Sequence, residues 1–114
     1  MRENNKLDLI RRIQSEQKEW SERNFPNNEA VQGILGVTEE SGELAHAYLK
    51  TLQGIRGSKQ SHLAAIKDAL GDIFIYSCEI ANKFDFDFQE VVEETWDEVK
   101  LRDWKKFPKN GLTE

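Results

Sequence analysis

The chain has 114 residues, 32% charged and 38% hydrophobic, with a formal net charge of −5. That is the length of one domain and a globular composition, which excludes two separate cores and a disordered chain. The negative balance argues against nucleic acid as the main partner, since a phosphate backbone needs a basic face; a free nucleotide stays open, because a bound cation reverses the sign of a local site.

The first predicted helix runs from about Lys6 to Arg23, with Leu9, Ile10, Ile13, Gln17 and Trp20 near one face. Asn24-Phe25-Pro26-Asn27-Asn28 ends it. The second runs from about Glu29 to Gln53. Val31, Ile34, Leu35, Ala45, Leu49 and Leu52 recur there at steps of three and four. Gly54-Ile55-Arg56-Gly57-Ser58 breaks the pattern, and a third helix follows from about Ser61 to Lys83 with Ile66, Leu70, Ile73, Ile80 and Ala81 in register. The fourth starts near Asp87, which stands three residues before Glu90 in capping-box spacing, and carries Phe88, Val92, Trp96 and Val99 as its stripe. No segment alternates as a half-buried strand does. Four amphipathic helices with short links predict an all-α, up-and-down four-helix bundle. The stripes on helices two and three are wide enough to face a second copy as well as the chain's own core, so a dimer or tetramer is expected.

Cys78 is the only cysteine, which leaves no internal disulfide and fits a reducing compartment. No apolar run approaches the ~20 residues that span a bilayer. Met1–Lys6 lacks the apolar stretch of a signal peptide, so a cytoplasmic location is expected.

Glu39-Glu40-Ser41-Gly42-Glu43 places three carboxylates inside helix two, and Asp68 and Asp72 follow on helix three. From Glu43 to the end of helix two is ~15 Å, and from Ser61 to Asp68 and Asp72 is ~10 and ~16 Å back, at 1.5 Å per residue. An antiparallel hairpin therefore sets Glu40, Glu43, Asp68 and Asp72 at similar height. At ~100° per residue each pair forms one narrow stripe, ~60° wide on helix two and ~40° wide on helix three. Each like-charge pair at 4 Å would cost ~4 kcal/mol at an effective dielectric of 20. Protonation, basic side chains or cations must offset that. Mg²⁺, with its preference for hard oxygen ligands and retained waters, suits carboxylates together with triphosphate oxygens. The plain alternative is a solvated helix face, which most such acidic runs are.

Basic and aromatic residues near these acids suit a triphosphate. Lys50 returns to nearly the face of Glu43 about 10 Å further on. Arg56 and Lys59 lie in or beside a glycine-bearing loop able to approach phosphates. Trp20, Phe25 and Asn28 offer the flat wall and polar group that a base requires, with Trp96 and Trp104 as alternative walls. Glu79 shares the stripe of Asp68 and Asp72 but lies too far along the axis to be a strong ligand. His46 and His62 have no zinc or triad pattern, and Cys78 has no basic activator.

The chain resembles the all-α nucleotide pyrophosphohydrolases, the MazG-like group that includes dimeric dUTPases and dCTP pyrophosphatases. The signature of that group is EExxE followed by ExxD on the next helix. Glu39-Glu40-Ser41-Gly42-Glu43 completes the first half; the second reads Asp68-Ala69-Leu70-Gly71-Asp72, with Ala69 where a glutamate is expected. The resemblance extends from about Trp20 to Pro108 and includes Ile73-Phe74-Ile75-Tyr76, Gly54-Ile55-Arg56-Gly57 and Val99-Lys100-Leu101-Arg102-Asp103-Trp104. It implies a single MazG-like domain over 1–114 that hydrolyses an NTP or dNTP to the monophosphate and pyrophosphate. It also implies Mg²⁺, with Mn²⁺ as a substitute, held by Glu40, Glu43 and Asp72, with Asp68 as a fourth ligand in place of the missing glutamate. Glu39 would bind a further ion or act as the base for the attacking water, and Lys100 and Arg102 would neutralise pyrophosphate. The alternative is a nucleotide- and metal-binding helical module weakened by Ala69.

Overall fold

A computed structural model describes residues 8–114. They form four helices: α1 (Leu9–Asn24), α2 (Ala30–Gln53), α3 (Lys59–Lys83) and α4 (Phe88–Val99). The expected all-α, four-helix architecture is present, and no strand occurs among the described residues. Lys6 and Leu7, where helix one was expected to begin, lie outside them.

The helix ends have local causes. Ser58 starts α3 two residues earlier than the apolar pattern indicates, because its Oγ accepts a hydrogen bond from the Ser61 backbone N–H at 3.0 Å. Asp87 caps α4 as its spacing with Glu90 predicts, accepting from the Glu90 N–H at 3.4 Å. At the start of α2, the Gln32 side chain accepts from the Glu29 N–H at 2.8 Å. Gly54 closes α2 in the left-handed region at φ 68°, a conformation that residues with a Cβ adopt reluctantly.

The long hairpin α2–α3 is the body of the molecule. Its two backbones come close because the seam is lined with small residues. Gly33, Gly36, Ala47 and Ala69 are all buried there or on the adjoining faces. A Cβ on Gly36 would stand 2.4 Å from the Tyr76 ring, and one on Gly33 would stand 2.9 Å from Ile80 Cγ1. These contacts fix an antiparallel register in which Gly33 faces Glu79 and Ile80, and Gly36 faces Tyr76. The same register carries Glu40 towards Asp72.

α1 packs on α3, and α4 meets α1. The α1–α3 seam is polar. Gln14 Nε2 donates to Asn82 Oδ1 at 2.9 Å and to the Phe86 carbonyl at 2.8 Å, while its Oε1 accepts from the Phe88 N–H at 3.0 Å. Asn82 Nδ2 donates to Gln17 Oε1 at 2.8 Å and to the Gln14 carbonyl at 3.1 Å. Gln14 therefore ties α1 both to the end of α3 and to the start of α4.

Large apolar side chains are not the ones buried. The buried hydrophobic residues are Ala47, Ala69, Cys78 and Ala81, whereas Leu35, Leu52, Leu70 and Trp96 are 58–67% exposed. Cys78 is fully buried, and burial pushes its thiol up to about 11, which leaves it without the thiolate character a nucleophile needs. His62 is also structural: its ring nitrogen lies 3.0 Å from the Ile55 carbonyl and pins the loop between α2 and α3. No described helix is long and apolar enough to cross a membrane.

Candidate active site

Three of the acidic side chains converge. Glu39, Glu40 and Glu43 follow one another at helical positions i, i+1 and i+4, and each offers a carboxylate oxygen within 4.8 Å of the others. Glu39 and Glu43 are exposed, while Glu40 turns into the α2–α3 seam and is buried. Burial raises the Glu40 carboxyl above its ordinary value, and the charges of Glu43, Asp72 and Glu39 raise it further, with a hydrogen bond to Glu43. The charge of Asp72 thus acts on Glu40 from across the seam. Neither Asp72 nor Asp68 belongs to the 4.8 Å group, and both are exposed on α3. Ala69 between them is 1% exposed, sealed by packing.

No ion pair among the described residues involves Glu39, Glu40, Glu43, Asp68 or Asp72. The repulsion therefore has no ion-pair partner among the described residues, and Glu40 responds by holding its proton more tightly. A set of hard oxygen donors in this condition fits a divalent cation of the Mg²⁺ type.

A cleft of about 470 Å³ adjoins the acids. Its lining includes Asp72 and Tyr76 at one side and Trp20, Phe25, Asn28 and Glu79 elsewhere. Tyr76 connects the two regions. Burial raises its hydroxyl, and the fields of Glu39, Glu40, Asp72 and Glu43 all add to the rise. Trp20 and Phe25 meet edge to face, centroids 5.7 Å apart at 69°, so α1 and the turn after it supply an aromatic wall. Trp20, Phe25 and Asn28 therefore come together at one cleft.

The basic residues are placed differently. Lys50 Nζ donates to Gln53 Oε1 at 2.9 Å, and Lys100 pairs with Asp97 at 2.9 Å. Arg56 sits in the loop at φ 61°, Lys59 is exposed in the first turn of α3, and the Arg102 guanidinium lies 6.0 Å from the Trp104 ring centroid. None of the five lines the cleft within one chain.

Sequence reasoning did not foresee the closed, polar end of the cleft. Glu79 is 4% exposed and accepts from Gln17 Nε2 at 2.7 Å and from Asn28 Nδ2 at 3.3 Å. Burial pushes its carboxyl up, but donation from Gln17 and Asn28, the adjacent Ser21 hydroxyl and the charge of Lys83 outweigh it and hold the carboxyl below its ordinary value. Its distance from the acid cluster along α3 was legible; its partners, more than fifty residues away in sequence, were not.

The family model of the MazG nucleotide pyrophosphohydrolase domain matches residues 30–107, and the chain belongs to that family. The matched segment contains both acidic motifs and begins after Gln17, Trp20, Ser21, Phe25 and Asn28, so the α1 side of the cleft lies outside it. The family acts on nucleotides, and the weakened-module alternative gains no support from the match. No curated protein and no solved structure gives a significant match.

Proposed function

We propose that this chain is a magnesium-dependent nucleoside triphosphate pyrophosphohydrolase that converts an NTP or dNTP to the monophosphate and pyrophosphate. The observation that carries the reading is a carboxylate cluster, without an ion pair among the described residues, beside an aromatic-walled cleft within a MazG domain. Glu40, Glu43 and Asp72 hold the cation, and Asp68 is a further ligand reached directly or through water. The bound cation, Mg²⁺ or Mn²⁺, supplies charge neutralisation for the polyphosphate and polarises the phosphoryl centre. Trp20 and Phe25 stack on the base, and Asn28 fixes its edge. Glu39, one turn from Glu43, takes the proton of the water that attacks the α-phosphorus as the α–β bond breaks. Lys50, Arg56, Lys59, Lys100 and Arg102 are the phosphate-binding candidates, and they do so as contributions from a neighbouring subunit or after loop movement.

A homodimer or homotetramer belongs to this reading. The radius of gyration is 17.7 Å, against about 13 Å for a compact chain of this length. The accessible surface is 8967 Å², against about 6,400 Å² expected for this mass. The excess, about 2,500 Å² on one chain, lies in the range that obligate interfaces cover. Sedimentation returning a stable monomer of 13.2 kDa would remove this part of the proposal.

The deciding experiment incubates a panel of NTPs and dNTPs with Mg²⁺ and scores pyrophosphate against single phosphate. Glu43→Gln and Asp72→Asn are expected to lower pyrophosphate release by about a thousandfold while helicity is retained. Full turnover in both variants would defeat the assignment.

A further inference from the structure

The closed end of the cleft is built around a carboxylate that the phosphate chemistry does not use. Glu79 is held in place on both oxygens, by Gln17 at 2.7 Å and by Asn28 at 3.3 Å. An ionised carboxylate offers about four acceptor positions. Gln17 and Asn28 take two and the Ser21 hydroxyl bears on the group as well, but no described ion pair engages it, and Glu79 lines the cleft. Beside it, Ser21 Oγ is buried in the same lining and makes no hydrogen bond among the described residues, although it lies near enough to help hold the Glu79 carboxyl down. A buried hydroxyl of this kind is costly unless something fills its valence. Gly33 lets α2 press against the Glu79 side chain, since a Cβ there would stand 3.2 Å from Glu79 Cγ.

We propose that Glu79 reads the base of the bound nucleotide, and that the cleft favours a base with two adjacent N–H donors, which means guanine. The proposal rests on the pyrophosphohydrolase reading for the presence of a nucleotide and adds the identity of its base. An acceptor-only group discriminates by what the base presents. Guanine offers its ring N1–H next to its 2-amino group, so both donors meet the carboxylate side by side. Cytosine and adenine each place one amino group next to a bare ring nitrogen, whose lone pair repels the carboxylate. Uracil and thymine place a single N–H between two carbonyl oxygens, the poorest match. Trp20 and Phe25 supply the stacking surface, and the Ser21 hydroxyl is able to turn towards a neighbouring base atom.

The competing account makes Glu79 a structural pin between α1 and α3, and base specificity separates the two. Wild-type protein with Mg²⁺ is assayed on GTP, ITP, ATP, CTP and UTP by pyrophosphate release. The expected order places GTP first. ITP, which keeps the ring N–H but lacks the 2-amino group, should fall at least about tenfold in kcat/KM, and UTP further. In Glu79→Gln the GTP-to-UTP ratio should collapse by at least about tenfold. An equal loss on every base, or a wild type indifferent to base or selective for uracil, overturns the proposal. The wild-type series decides the matter even if the variant does not fold. If no triphosphate yields pyrophosphate, the underlying enzyme reading fails. Calorimetry of GMP against UMP then tests the base claim alone, with tighter GMP binding expected and equal or reversed affinity overturning it.

Discussion

α3 is gripped on two sides by opposite means. Against α2 it presents a surface on which glycines and alanines let two backbones approach, so that the Tyr76 ring lies directly on Gly36. Against α1 it presents Asn82 and Glu79, and the seam is closed by amide side chains. The first seam depends on shape and is intolerant of added volume. The second depends on donor–acceptor pairing and is intolerant of a lost partner. The difference explains where the cleft forms: a shape-matched seam leaves no room, whereas a hydrogen-bonded one holds its helices at the distance that amide side chains span.

Four substitutions or conditions test this contrast. The largest effect is expected from Gly36→Ala, whose new methyl would stand 2.4 Å from the Tyr76 ring. Denaturant unfolding should show a loss of about 2–3 kcal/mol; a neutral result would mean the seam is looser than its geometry implies. Gln17→Leu comes next. It removes the 2.7 Å donor to Glu79 and the acceptor for Asn82 Nδ2, and should destabilise by about 1–2 kcal/mol. An unchanged midpoint would show the polar seam to be dispensable. Gly42→Ala is the control on the open side of α2. A Cβ there meets nothing within 4 Å, so the helix should gain up to about 1 kcal/mol in metal-free protein, opposite in sign to Gly36→Ala.

The smallest effect is a pH dependence. Glu79 has a folded-state pKa below its ordinary value of 4.5. The folded chain therefore binds its proton less readily than the unfolded chain, and stability rises with pH across that interval. The contribution is fully present above about 4.5 and is lost as pH falls through the folded value. Stability of wild type and Glu79→Gln measured between neutral and acid pH should converge in acid; parallel curves would refute the linkage.

Much of this was legible in the chain itself. The three- and four-residue recurrence of apolar positions marks all four helices, although on α2 the recurring Val31, Ile34, Leu35, Leu49 and Leu52 are exposed and Gly33, Gly36, Glu40 and Ala47 turn inward. Spacing alone brings Glu39, Glu40 and Glu43 together, and counting residues through the hairpin sets Asp72 where its charge acts on Glu40, while Asp68 and Asp72 stay outside the 4.8 Å group. Trp20, Phe25 and Asn28 line one cleft because a short turn joins α1 to α2. What could not be read was tertiary. Gly33 and Gly36 carry a signal, a pair of small residues one turn apart, but only a partner helix gives it meaning. Glu79 looked like a remote member of an acidic stripe; its burial depends on Gln17 and Asn28, whose positions follow from how α1 docks. The exposed Leu35 and Leu70 were counted as stripe residues facing either the chain or a second copy, and periodicity does not distinguish the two.

Cys78, wholly enclosed in the C-terminal part of α3, has a practical consequence. With no other sulfhydryl in the sequence, a thiol-reactive dye can modify the protein only during excursions that expose this helix. The labelling rate is therefore a clock for the rarest openings of the fold, and the clock should slow whenever nucleotide, cation or a second subunit clamps α3 in place.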